Sequence, residues 1–223
     1  MSDSVSMWWS EYLPMFAVGA WRTIQLTVMS MLLATVLGLL IAVVRRMRVP
    51  GLSQLLAAFV QVMRLVPELV LLFLVYYSLP ELGILLSAFV SAVLVFGVHY
   101  SAFLSEVFRG GLEAIPHSQV EASKMLQLGK GVMWRRVILP QAVRNVIPTW
   151  GNYLQTVIKA SALAGTITYG ELFFQTNFMA NQNFRYFELF TVAAAIYFVM
   201  SWGAAKLQHR LEKSFARERR KTA

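Results

Sequence analysis

The sequence predicts an all-α integral membrane protein with five transmembrane helices, and three observations carry that reading. Apolar residues fill 57% of 223 positions and charged residues only 14%, against about 25% charged in an ordinary soluble domain. Several charge-free runs approach or exceed the roughly 20 helical residues that a hydrocarbon core of about 30 Å requires. The basic residues, which give a formal net charge of +9, sit between those runs. A nucleic-acid-binding domain would instead carry them as a stripe on a polar surface with interleaved aromatics. There is no cysteine, which removes disulfides and thiolate metal sites. The N-terminus, MSDSVSMWWSEYLPMF, lacks the basic and short apolar regions of a cleavable signal, so the first span is expected to direct insertion.

The spans follow in order. The first covers about 18–44; its segment from Thr23 to Val44 carries no charge and ends at Arg45, Arg46 and Arg48. The second is placed near 61–80, in an apolar region interrupted by Arg64 and Glu68 and preceded by an interfacial segment. The third covers 83–106. A polar loop follows over about 107–146. The fourth span, 147–169, is apolar apart from Lys159, and the fifth covers 187–207 before the basic tail RLEKSFARERRKTA. Residues 1–223 read as a single membrane domain without internal repeats. With five spans the termini lie on opposite sides. If the C-terminus is cytoplasmic, all of the 20 Lys and Arg except Arg22, Lys159 and Arg185 fall in cytoplasmic segments or the span ends facing them. Basic residues concentrate on that side of membranes, so the N-terminus is expected outside and the C-terminus inside. Trp8, Trp9, Tyr12 and Trp21 then fall near the outer interface, where amphipathic rings prefer to lie.

The loop between spans three and four is the most informative segment: FRGGLEAIPHSQVEASKMLQLGKGVMWRRVILPQAVRNVIP. Pro116 can open a helix, and a short one is expected over His117 to Leu126. Gly129 and Gly131 should end it, with a second helical stretch from Trp134 to Val137 before Pro140. Such an element could dock a cytoplasmic partner, or simply lie on the membrane surface as an amphipathic loop.

Here the sequence resembles a family. Glu121-Ala122-Ser123, with Gly129 nearby and Leu139-Pro140 at the right distance, resembles the EAA loop of ABC-importer permeases. FRGG at 108–111, IPHSQVEAS at 115–123, ILPQAVRNVIPTWGN at 138–152 and KASAL at 159–163 resemble the polar amino acid permeases, over about residues 14–212. The third EAA position is Ser123, a small residue. The expected glycine at 127 is Gln127, which would be strained if the turn needs a positive φ there.

The resemblance implies a type I ABC importer in the bacterial inner membrane. Two permease subunits would work with two copies of a cytoplasmic ATPase and a periplasmic solute-binding protein. No G-x-x-x-x-G-K-[ST] phosphate loop is present in the sequence, so ATP and Mg are expected on the ATPase. No enzyme activity, metal site or nucleic-acid partner is expected in this chain; its partners are protein subunits, an amino acid and membrane lipid. Glu121 is the loop residue expected to pair with a basic or polar group of the ATPase, the alternative being a solvated carboxylate.

Ionisable groups within spans are costly and mark a pathway or an internal pair. Arg64, Glu68, His99 and Lys159 are such groups. Counted from the cytoplasmic span ends, Glu68 and His99 lie about 10 Å deep and Lys159 about 16 Å. That common depth suits a polar chamber. The segment Arg64-Leu65-Val66-Pro67-Glu68 places a carboxylate after a helix-distorting proline. An acid at that position resembles permeases for arginine, histidine, lysine, ornithine or opines, a type that favours a heterodimer. Glu68 could select a cationic substrate, or pair with Arg64. Lys159 could pair with Glu106, with Glu68 or with the substrate carboxylate. His99 could line the path or pack; Tyr100, Ser101 and Ser161 are candidate donors. Importers of Glu, Gln or Asp, a passive channel, and a membrane scaffold are the competing readings.

Overall fold

A computed structural model describes the backbone of residues 2–221, and the side chains of residue 10 and residues 12–215. The side chains of Trp8 and Trp9 and the end of the basic tail lie outside the described residues. The described chain is built from helices. α1 (Ser2–Arg46) runs through Pro14 and ends on Arg45 and Arg46, where cations complement the helix dipole.

The expected second span is not one helix. α2 (Leu52–Leu65) stops before Pro67, and α3 (Glu68–Phe73) starts after it, with Pro67 extended at ψ 132°. The cause is local: a residue before proline is pushed out of the α region, and the proline ring cannot follow a preceding α-turn without a clash. A wide π turn (Leu74–Ser78) and a 3₁₀ turn (Leu79–Leu82) complete this region. α4 (Ala88–Glu113) begins later than expected. Gly83 takes a left-handed φ of 78° to close the preceding turn, and Ser87 caps α4 by accepting the Val90 N–H at 3.3 Å.

α5 (His117–Met125) matches the expected loop helix. The break expected after it is present at 126–129, but Gly131 lies inside the next helix and the stop expected at Pro140 is absent. α6 (Lys130–Met133) leads through a π turn (Trp134–Ile138) directly into α7 (Leu139–Ala160). A π turn widens the backbone, which leaves the Pro140 ring room beside the carbonyl of Arg136, where an α-turn would clash. α7 gives way to a 3₁₀ segment (Ser161–Ile167), then α8 (Leu172–Asn183) and α9 (Tyr186–Lys221) follow. Three helical segments are long and apolar enough to span: Tyr12–Arg46, Ala88–Glu113 and Tyr186–Phe215. The pair separated at Pro67 makes a fourth if taken as one broken span. The expected count of five is therefore not reached by length and hydropathy. α7 falls short because Arg144, Asn145, Asn152, Gln155 and Lys159 interrupt it.

The chain divides into two compact units, each assembled from three separated stretches. The first unit comprises residues 1–33, 66–98 and 154–203. Its core joins Tyr12 and Phe16 of α1, Leu172, Met179 and Ala180 of α8, and Leu189 and Ala193 of α9. The helices approach closely at Gly19, where a Cβ would stand 2.9 Å from the Leu172 Cα. Small residues at such crossings let apolar helices pack in a membrane. The second unit comprises residues 34–65, 99–153 and 204–223. Ile41, Val60 and Ala102 form its core. Trp150 Nε1 donates to Thr35 Oγ1 at 2.9 Å, and Glu106 accepts from Arg45 and Arg109.

Glu171 organises the first unit. It is fully buried and caps α8, accepting the N–H of Phe173 at 2.9 Å and of Phe174 at 2.7 Å. The Tyr197 hydroxyl of α9 donates to it at 2.7 Å and Thr23 of α1 at 3.5 Å. The Leu172 N–H is taken in turn by Thr23 Oγ1 at 3.2 Å. Burial pushes this carboxyl above the usual range, while bonds from Tyr197, Phe173, Phe174 and Thr23 pull it back. A neutral isostere should therefore be tolerated better than a truncation. Glu171→Ala leaves several buried donors without an acceptor and is expected to cost about 3 kcal/mol, Glu171→Gln about 1 kcal/mol. Thermal unfolding in one fixed detergent measures both; equal stability of Glu171→Ala and the unaltered protein would refute the hub.

The end of α5 is a Schellman turn. Leu128 N–H donates to Ser123 O at 3.1 Å and Gln127 N–H to Lys124 O at 2.9 Å. Gln127 closes it at φ 52°, so the strain foreseen for this position is present. Gln127→Gly should remove about 1 kcal/mol of left-handed strain. Amide hydrogen exchange over residues 117–128 is then expected to slow about fivefold; faster exchange would contradict this assignment.

Candidate functional site

The loop candidates lie in the second unit. Along α5, Glu121 and Ala122 face solvent while Ser123 turns inward. The Glu121 side chain is 62% exposed, with Oε1 3.2 Å from His117 Nδ1. Met125 and Leu126 stand beside it, 86% and 73% exposed. α5 thus presents an apolar surface with one carboxylate, a combination suited to a protein partner because exposed apolar patches mark interaction sites. Ser123 is buried and donates to the Gln119 carbonyl at 2.7 Å, which explains a small residue there. Gln141 Nε2 of α7 donates to Gln119 Oε1 and to the Val137 carbonyl, fastening α5 to the start of α7. Gly129 precedes α6 at φ −55°, Leu139 is exposed, and Pro140 is half-buried.

The pathway candidates are described unit by unit. In the first unit Glu68 is the first residue of α3 and half-buried, following Val66 and the exposed Pro67. Lys159 is exposed in the last turn of α7. Ser161 is fully buried; its hydroxyl donates to the Ile158 carbonyl at 2.8 Å and stands beside the Tyr197 hydroxyl. An open, largely apolar groove of about 810 Å³ also belongs to this unit, lined by Trp21, Arg22, Phe89 and Tyr169 among others, and none of the pathway candidates lines it. In the second unit His99, Tyr100 and Ser101 are buried. The His99 ring packs 5.2 Å from both Tyr100 and Phe103, and Tyr153 joins that cluster. Exposed Arg64 places its guanidinium 5.6 Å from the Phe103 ring centroid, a cation–π contact. Glu106, one of the partners open to Lys159, accepts from Arg45 and Arg109 within this unit.

Sequence reasoning missed the Glu171 hub. The available signal was an acid placed directly before an apolar helix. Its distant partners, Thr23 and Tyr197, had no signal. The network Arg45–Glu106–Arg109–Glu113 was also missed, although 106, 109 and 113 have helical pair spacing; Arg109 lies 2.6 Å from each carboxylate.

Comparison with known proteins agrees with this architecture. Residues 8–217 match the family described as "Binding-protein-dependent transport system inner membrane component". A probable amino-acid ABC transporter permease of Sinorhizobium fredii is 36% identical, the match covering 87% of this chain and 84% of the relative. Two relatives named for substrates are a probable glutamine ABC transporter permease of Bacillus subtilis and an octopine transport system permease of Rhizobium radiobacter. The first is 30% identical over 94% of this chain and 98% of its own length. The second is 29% identical over 95% and 90%. In three dimensions the chain matches a subunit of an amino acid ABC transporter crystallised with histidines. The TM-score is 0.86 at 31% identity, over 94% of this chain and 97% of that one. A family match over nearly the whole length, on a helical fold with an exposed acidic-apolar loop helix, means that this chain belongs to the binding-protein-dependent transport system inner membrane components, as an amino acid ABC transporter permease.

Proposed function

We propose that this permease carries a cationic amino acid (arginine, histidine, lysine or ornithine) or an opine, delivered by a solute-binding protein. The single observation behind the substrate class is Glu68, a half-buried carboxylate at the head of α3 where the chain breaks at Pro67. Broken helices at mid-membrane are where transporters bind polar solutes. A carboxylate in such a low-dielectric setting attracts a guanidinium or ammonium and repels an acidic side chain. Similarity to an octopine permease supports this reading. Similarity to a glutamine permease supports a second one, a neutral polar amino acid.

Lys159, His99, Tyr100, Ser101 and Ser161 are the further groups proposed along the path, with Arg64, Val66 and Pro67 shaping its entrance to α3. The N-terminus lies outside and the C-terminus in the cytoplasm of a bacterial inner membrane, as the basic residues favour. The permease pairs with a second, related permease and two copies of an ATPase that binds ATP and Mg. Glu121, Ala122, Ser123, Gly129, Leu139 and Pro140 form the coupling element. ATP-driven closure of the ATPases moves α5, which is pinned to α7 through the Gln119–Gln141 bond.

The test is ATPase stimulation in the reconstituted importer by binding proteins loaded with a panel of amino acids. Stimulation by cationic amino acids or opines is expected, and Glu68→Gln should reduce that preference about tenfold, or 1.4 kcal/mol. Stimulation by glutamine alone would favour the second reading, and by glutamate or aspartate alone would refute the cationic one.

A further inference from the structure

Beside the coupling helix, within the second unit, lies a polar cavity of about 560 Å³. Pro116 and Gln119 of the α5 region form one wall, and Arg136, Gln141, Arg144 and Asn145 form the other. Two of its lining residues are arginines and none is acidic. The Gln141 and Asn145 amides are committed to internal acceptors, Gln119 Oε1 and the Gly111 carbonyl respectively. Arg144 is not so committed: its Nε is buried and has no hydrogen-bond partner among the described residues. Two guanidinium groups around one polar cavity repel each other unless an anion lies between them. The chemistry therefore calls for a compact anion with several acceptor oxygens, which a guanidinium fork matches.

The surroundings indicate the source of that anion. Arg144 is the last charged residue before a charge-free stretch that runs to Ile158, so it marks the place where the chain passes from polar to apolar surroundings. Leu139 and Val143, one helical turn apart on α7 and next to Pro140 and Arg144, are exposed, and they offer an apolar strip alongside the cavity. A phosphate held by arginines with hydrocarbon beside it is the pattern of an acidic phospholipid, and basic pockets at this level of a membrane protein bind such headgroups. The exposed Glu121, Met125 and Leu126 of α5 do not line this cavity. We infer that the Arg136–Arg144 cavity binds the headgroup phosphate of an acidic phospholipid and thereby braces the root of the coupling helix against α7. The inference rests on the membrane location of α7 and does not depend on which amino acid is carried.

The experiment uses the complete transporter complex, reconstituted in phosphatidylcholine with or without phosphatidylglycerol, re-extracted, and analysed for retained lipid by native mass spectrometry. The unaltered complex should retain phosphatidylglycerol selectively. Arg144→Gln and, at an exposed position that leaves packing intact, Arg136→Gln should each lower that retention at least tenfold, while Arg135→Gln, outside the cavity, should not. Retention equal to the unaltered complex in both cavity variants would overturn the proposal. So would loss of the ATPase subunit with lipid retention unchanged, which would give the cavity to a carboxylate of that partner. Displacement of the lipid by millimolar inorganic phosphate would assign the cavity to free phosphate and would equally overturn it. Substrate specificity plays no part in any of these readouts, so failure here is distinguishable from failure of the cationic-substrate reading.

Discussion

Peptide groups in hydrocarbon find no water, so each N–H and C=O must be bonded within the protein. That constraint explains the continuous helices of this permease, and it makes each interruption informative. Where α8 begins, its first N–H groups have no earlier helical carbonyl to meet. Glu171 accepts those of Phe173 and Phe174, Thr23 accepts that of Leu172, and Tyr197 adds a bond from α9. One buried carboxylate thus completes a helix start and joins three helices of the first unit. The chain breaks again at Pro67, and the residue that opens the next helix is Glu68. Two carboxylates at helix starts therefore differ in setting. Glu171 is fully buried and its oxygens are taken by internal donors, a structural role, whereas Glu68 is only half-buried.

Much of this was legible in the sequence, and the limits have physical causes. Charge-free runs located α1, α4 and α9 because burial in lipid is a property of composition. The loop helix was legible from Pro116, and the glycine missing at 127 pointed to a strained turn, which the left-handed Gln127 occupies. Helix continuity through Pro140 was not legible, because it depends on a π turn at Trp134–Ile138 that no local signal announces. A distortion of the second span at Pro67 was legible, but not that the helix ends there: proline can kink a helix or end it, and tertiary packing decides which. The hub around Glu171 was invisible because two of its donors lie 148 and 26 positions away.

The coupling loop shows how one short helix serves two roles through its two faces. Ser123 faces inward and ties back to Gln119, which in turn holds Gln141 of α7. Ala122, Glu121, Met125 and Leu126 face outward. On the proposed coupling role, a force applied to the outer face would pass through these hydrogen bonds and the Schellman turn, both stiffer than a flexible loop. On the same proposal the outer carboxylate is the chemically specific part of that face, since apolar contact alone would not fix the angle at which a partner engages. Three of the family's motif positions thereby differ in setting: Glu121 and Ala122 are exposed, and Ser123 is the buried anchor.

The most direct test of this account is the ratio of amino acid uptake to ATP hydrolysis in proteoliposomes containing the complete importer with Glu121→Ala. Hydrolysis that continues while uptake per ATP falls tenfold or more is the predicted result. An unchanged ratio in a correctly assembled complex would contradict the assignment of α5 as the element that converts ATPase closure into transport.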